Sequence, residues 1–133
     1  MMQRVRISFA CALLVATTAQ AQSLIEVPSG QPVTFQDVIW EAEGDENTYR
    51  FRYIAPDIAR GGGSIGFEQA EGDLRHLCEN SALPVLIEQK RAVDHIIITL
   101  SDRAVEFGKA APEATQYFDS YAPDDTACIW EGF

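Results

Sequence analysis

The chain has 133 residues, with 20 acidic side chains against 10 basic ones and a formal net charge of −10. That length holds one domain around one modest core. The negative field repels nucleic acid and anionic lipid, so neither is expected as a partner. With 47% apolar residues, the composition is that of a folded domain rather than a disordered chain.

In chain order, the first element is an address. Residues Met1 to Ala21 read as a secretory signal peptide. Arg4 and Arg6 form a basic head, Ile7 to Ala16 an apolar run, and Ala19-Gln20-Ala21 places small residues at the −3 and −1 positions. The predicted cut lies between Ala21 and Gln22. An apolar run of about ten residues is too short to span a membrane, which takes about 20. Gln22 stands where a lipid anchor would need cysteine, so no membrane anchor is expected after cleavage. The cut would remove 21 residues, two of the 10 basic side chains and none of the 20 acidic ones. The remaining 112 residues, 22–133, would carry a net charge of −12. Cys11 leaves with the leader, and Cys78 and Cys128 arrive as a pair in an oxidising compartment, periplasmic or extracellular.

Val33 to Ala42 reads as a strand with one irregularity near Asp37, followed by the turn cluster Gly44-Asp45-Glu46-Asn47. Thr48 to Ala55 alternates cleanly, with Tyr49, Phe51 and Tyr53 on one face and Arg50 and Arg52 on the other, so the two segments form a hairpin. After the loop Pro56 to Gly66, the spacing predicts a helix over Phe67 to Ala82. Its Phe67, Ala70, Leu74, Leu77 and Cys78 share about 100° of arc. Pro84 marks a break or the first turn of a short second helix ending near Arg91. His95 to Leu100 is apolar on both faces, as a central strand is. Ala104 to Phe107, Gln116 to Ala122 and Thr126 to Trp130 read as three further short strands. The expected fold is a single small α+β domain, with a mostly antiparallel sheet, one main helix on one face and one disulfide.

Cys78 lies on the apolar helix face, and Cys128 alternates with Trp130 on one face of the last strand. Both point to one core, as a helix-to-sheet disulfide requires. Closing a 50-residue loop would stabilise the domain by up to about 4 kcal/mol. A zinc site from His76, Cys78, His95 and Cys128 is opposed by geometry, because His76 falls about 160° around the helix from Cys78. No metal site and no cofactor are expected.

Gly61-Gly62-Gly63-Ser64-Ile65-Gly66 matches G-x-G-x-x-G literally, but Pro56 and Arg60 fall between the strand and the first glycine, so the tight turn of a dinucleotide fold is missing. A simpler reading keeps Arg60, Gly61, Gly62 and Gly63 as an anion cradle, if Arg50 and Arg52 converge on it. The acidic residues Glu41, Glu43, Asp45 and Glu46 crowd one turn and Asp124-Asp125 another, as solvated turns do. No serine lies in G-x-S-x-G, and His76 and His95 are the chain's two histidines.

Four segments carry a resemblance: Pro28-Ser29-Gly30-Gln31-Pro32-Val33-Thr34, Ser101-Asp102-Arg103-Ala104-Val105-Glu106-Phe107-Gly108, Ala114-Thr115-Gln116-Tyr117-Phe118 and Ala127-Cys128-Ile129-Trp130-Glu131-Gly132-Phe133. Together they make the chain resemble a family of small exported bacterial proteins known only as a domain of unknown function. The resemblance covers nearly the whole chain beyond the leader. It implies that both Cys78 and Cys128 are kept, and it implies no activity. The leading expectation is a non-enzymatic exported binding or accessory domain with an unidentified protein or small-molecule partner. Tyr49, Phe51, Tyr53, Tyr117 and Tyr121 would form its recognition face if one sheet face stays uncovered. Two other readings stay open: a small hydrolase or lyase using a carboxylate pair, and an anion-binding module at Arg60 and the glycine loop.

Overall fold

Alternation builds the first hairpin. Strands β1 (Thr34–Glu43) and β2 (Glu46–Ile54) pair antiparallel, from Glu43 against Glu46 back to Thr34 against Ile54. The register slips between Phe35 and Asp37, where Gln36 is an extra residue, at the irregularity the sequence reading places near Asp37. Such a bulge turns one stretch of a strand over relative to the next. Phe35, Val38 and Trp40 therefore all stand on the side of Tyr53, Phe51 and Tyr49, their cross-strand partners. The computed structural model describes residues 23–132. The leader, Cys11 and the cut between Ala21 and Gln22 lie outside the described residues.

β2 runs parallel to β3 (His95–Ser101), pairing from Thr48 against His95 to Ile54 against Ser101. Parallel neighbours need a long crossover. Here it is a 3₁₀ turn at Pro56–Ile58, the glycine loop and two helices. β4 (Gln116–Asp124) and β5 (Ala127–Trp130) follow antiparallel, giving a five-stranded sheet in the order β1-β2-β3-β4-β5. Three of the four pairings are antiparallel and β3 is central, as its two-sided apolar pattern requires.

The helix predicted over Phe67–Ala82 is two helices joined without a break in path. α1 (Phe67–Leu77) passes through a π-helical turn, Cys78–Ala82, into α2 (Leu83–Glu88). Pro84 does not stop the chain, because it falls in the first turn of α2, where its missing N–H and fixed φ are tolerated. The helical layer contributes Ala70, Leu74, Leu77, Cys78, Ala82, Leu83 and Leu86 to the core, against Phe51, Tyr53, Ile96, Ile98, Leu100, Tyr121 and Cys128. It sits chiefly over β3 and β4, which leaves the same face of β1 and outer β2 only partly covered. Phe67, assigned by its angle to the apolar face, is 43% exposed and stacks edge-on against Tyr117 at 5.3 Å.

The segment Ala104–Phe107, read as a strand from its sequence, is part of the irregular connection between β3 and β4. Side chains from the sheet claim its backbone. The Val105 carbonyl accepts from Arg52 Nη2 and, at 3.2 Å, from Gln36 Nε2. Trp130 also departs from expectation. It lies beside buried Tyr121 on the edge strand, beyond the helical cover, and is 62% exposed.

Asp73 is wholly buried on α1, one step outside the arc that marked the apolar face. It anchors the entry segment, accepting from the Ser29 amide at 2.9 Å, the Ser29 hydroxyl at 2.5 Å and Gln31 Nε2 at 2.7 Å. A buried carboxylate is stable only with such donors around it. Amphipathic periodicity carries no signal for it.

Candidate functional site

The open half-face of β1 and β2 forms one wall of a groove, and the π-turn and α2 form the other. The cavity is about 610 Å³, with Phe35, Val38, Trp40, Tyr49 and Phe51 on the sheet side and Ser81, Val85, Leu86, Gln89 and Arg91 on the helical side. Its size falls within the range of small-molecule sites, and its lining is mostly apolar with a few polar groups, as such sites are. Trp40 is 60% exposed at one end, with its indole Nε1 held by Asn47 Oδ1 at 3.1 Å. Phe35 stacks on Tyr53 and Phe51 at 5.7 and 6.3 Å, which fixes the floor.

Ser81 joins the two walls. It takes the Tyr53 hydroxyl hydrogen bond at 2.8 Å from within the π-turn. Burial pushes the Tyr53 phenol up to about 12, so it stays a neutral donor at physiological pH. The disulfide holds the same turn from the other side. Cys78 and Cys128 are bonded with a Cα separation of 6.2 Å, and Glu79 Oε2 accepts the Cys128 amide at 3.3 Å. Both thiols are thereby consumed, so neither can serve as a metal-ligating thiolate. Among the described residues, no group of three or more His, Cys, Asp or Glu side chains is placed to hold a metal ion, and no helix is long and apolar enough to cross a membrane.

Of the five aromatics expected on a recognition face, Tyr49 and Phe51 line the groove, whereas Tyr53 and Tyr121 are buried in the core and Tyr117 packs against Phe67. Sequence reasoning missed Ser81, Val85, Gln89 and Arg91. Their role depends on where the crossover lays α2, and the nearest signal was the short helix predicted to end near Arg91.

The residues of the expected anion cradle are divided between two places. Arg50 and Arg52 lie together on the opposite face of the sheet, 5.6 and 5.7 Å from the Phe107 ring. Arg50 pairs with Glu41 at 3.6 Å and Arg52 with Asp37 at 3.4 Å. Arg60 is engaged elsewhere, donating to the Pro112 carbonyl at 2.8 Å and the Ala114 carbonyl at 3.4 Å. Within the glycine loop, the Gly63 amide donates to Ala59 and the Ile65 amide to Asp57. A Cβ at Gly63 would run into those same carbonyls, while Gly62 adopts φ +94° and Gly61 stands in open space. The loop thus uses amides to fold on itself, and glycine at 63 is a packing requirement.

Two carboxylates, Glu71 and Asp119, meet with Arg75 at a small cavity of about 180 Å³, where Asp119 accepts from Trp130 Nε1 at 3.3 Å. Asp102 is held below the usual carboxylate range by Arg103, the opposite of what a general acid needs. His76 lies on the surface beside Asn80. His95 is gripped from both ring nitrogens, by Glu131 at 2.8 Å and Glu46 at 3.1 Å, and Glu131 raises its pKa above 6.5.

Residues 9–133 match a family of unknown function, DUF6497. The chain belongs to that family. Neither a curated protein nor a solved structure matches it. The DUF6497 match spans both cysteines and every residue lining the groove, so the covalent tether and the cavity both lie within the family's segment.

Proposed function

We propose that this DUF6497 chain is an exported, non-enzymatic binding domain whose groove takes a small amphiphile: an apolar body carrying one anionic group, of the fatty-acid type. The observation that carries this reading is the pairing of an exposed aromatic groove with an unneutralised cation in its lining. Arg50, Arg52, Arg75, Arg103 and Lys109 each face a carboxylate. Among the described residues, Arg60, Lys90 and Arg91 have no such partner; Arg60 is held by the Pro112 and Ala114 carbonyls, and Arg91 lines the groove. In so acidic a chain, with carboxylates in excess, a cation left unpaired beside an apolar cavity suits an anionic head group. The reading of Met1–Ala21 as a leader, the Cys78–Cys128 disulfide and the excess acidity support delivery to the periplasm or the extracellular space.

The test uses the chain expressed with its own leader and recovered from outside the cytoplasm. It should begin at Gln22, and it should bind a dansylated undecanoic acid saturably, with a blue-shifted emission. Trp40→Ala should weaken both the acid and its methyl ester. Arg91→Gln should weaken the acid by about tenfold, to the level of the ester. Absence of saturable binding, or equal affinity for acid and ester in the unsubstituted chain, would overturn the assignment of the ligand.

A further inference from the structure

On the other face of the hairpin, the β3–β4 connection folds back over the sheet and closes a second, smaller cavity of about 180 Å³. Arg50, Arg52, Thr99, Val105, Phe107, Gly108, Lys109 and Gln116 surround it, together with the carboxylate of Glu106, which pairs with Lys109 at 3.0 Å. Two of its polar atoms are buried without a hydrogen-bond partner: Arg50 Nε and the Thr99 hydroxyl. Thr99 is only 9% exposed and Arg52 7%. Buried polar groups are almost always satisfied, so two orphans at one cavity ask for an occupant.

The chemistry of that occupant follows from what the cavity lacks. The Val105 carbonyl is already used twice, by Arg52 and Gln36. The carboxylates that face the cluster are turned to its cations: Asp37 to Arg52 at 3.4 Å, Glu41 to Arg50 at 3.6 Å and Glu106 to Lys109 at 3.0 Å. The first two are longer than a charge-assisted hydrogen bond and leave Arg50 Nε unbound. Arg50 Nε and the Thr99 hydroxyl are left over at the cavity, Asp37 Oδ1 beside Arg52 outside it is likewise without a hydrogen bond, and the Phe107 ring closes over both guanidinium groups. We infer that this cavity binds a small oxyanion, a carboxylate or a tetrahedral phosphate or sulfate, across Arg50 Nε and the Thr99 hydroxyl. It keeps Arg50 and Arg52 from the cradle expected on sequence grounds and replaces Arg60 and the glycines with Thr99 and the Phe107 flap. The site is separate from the groove, so either assignment can fail without the other.

The experiment titrates acetate, inorganic phosphate and sulfate separately into the ¹⁵N-labelled full chain at constant ionic strength, with chloride as the control. Saturable shifts at the Arg50 Nε–H, Thr99 and Phe107 are expected in the millimolar range, and the three arms separate a carboxylate site from a tetrahedral one. Arg50→Gln and Thr99→Val should each weaken binding by about tenfold. Thr99→Val should also raise the melting temperature of the anion-free chain, because it removes a buried hydroxyl that nothing satisfies. No saturable shift beyond the chloride control overturns the site. So does unchanged affinity in Thr99→Val, which decides the matter even if Arg50→Gln fails to fold.

Discussion

The two faces of one hairpin, β1 with β2, are built from alternate residues of the same strands and have opposite chemistry. Toward the helices stand Phe35, Val38, Trp40, Tyr49 and Phe51, open to a groove of about 610 Å³. Away from them stand Asp37, Glu41, Arg50 and Arg52, paired with one another and covered by the Phe107 flap. A two-residue period separates these sets automatically along β2. Along β1 it does so because Gln36 is left out of the pairing, which keeps Phe35 on the apolar side. The faces differ in what holds them. The polar face is closed by a flap of irregular backbone. The apolar face depends on a helical wall that the disulfide and the Tyr53–Ser81 hydrogen bond keep in place.

The largest expected effect breaks that dependence. Replacing both Cys78 and Cys128 with alanine should lower the unfolding free energy by about 4 kcal/mol, the chain-entropy value for a loop of this length. Urea denaturation of the oxidised chain and the double variant measures it. Where the variant remains folded, amphiphile binding in the groove should fall while oxyanion shifts around Arg50 stay as they were.

Deleting Gln36 attacks the comparison from the other side. Removing the extra residue leaves Phe35 opposite Tyr53 and Asp37 opposite Arg52, so both faces keep their side chains, and the cost is about 1 kcal/mol, that of the Gln36 hydrogen bond to the Val105 carbonyl. The same urea experiment reads the loss. Oxyanion shifts around Arg50 should weaken while amphiphile binding in the groove is kept, since Gln36 holds the Val105 carbonyl of the flap and lines no part of the groove.

The smallest effect belongs to neither face. His95 ties the hairpin end at Glu46 to Glu131, with Asp94 alongside holding the Asn47 amide at 2.7 Å. Its pKa is raised in the folded chain, chiefly by Glu131, so its stabilisation is complete below the ordinary value of 6.5 and is lost as pH rises through the folded value. Melting curves of the wild-type chain and His95→Gln should therefore differ by about 0.5 kcal/mol near pH 6 and converge in mildly alkaline buffer. A constant difference across that range would remove the titrating role. Binding in the groove and at Arg50 should be indifferent to the substitution.

Much of the scaffold was legible beforehand because it follows from local pattern. Alternation in Thr48–Ala55 marked β2, the all-apolar run at Ile96–Ile98 marked the central strand, and the angles of Leu74, Leu77 and Cys78 marked the buried helix face. The misreadings share a cause: a distant group overrode a local preference. Val105 and Phe107 have the composition of a strand, yet Arg52, Gln36 and the two guanidinium groups recruit them as a flap. Asp73, which no local pattern singles out, is buried because Ser29 and Gln31 fold over it. Arg60, expected in an anion cradle, donates to the Pro112 and Ala114 carbonyls, which lie more than 50 positions away.

The sequence by itself determined the α+β class, the hairpin, the irregularity near Asp37 and the cysteine pair, because periodicity and covalent chemistry are properties of short segments. Only the tertiary structure decided that α2 stands off from β1 to leave a groove, that Arg91 lines it, and that Arg50 and Thr99 share a cavity in which both are left without a hydrogen-bond partner. Those relations join residues dozens of positions apart. They exist only once the parallel crossover has set the helices over β3 and β4 and left the edge of the sheet open.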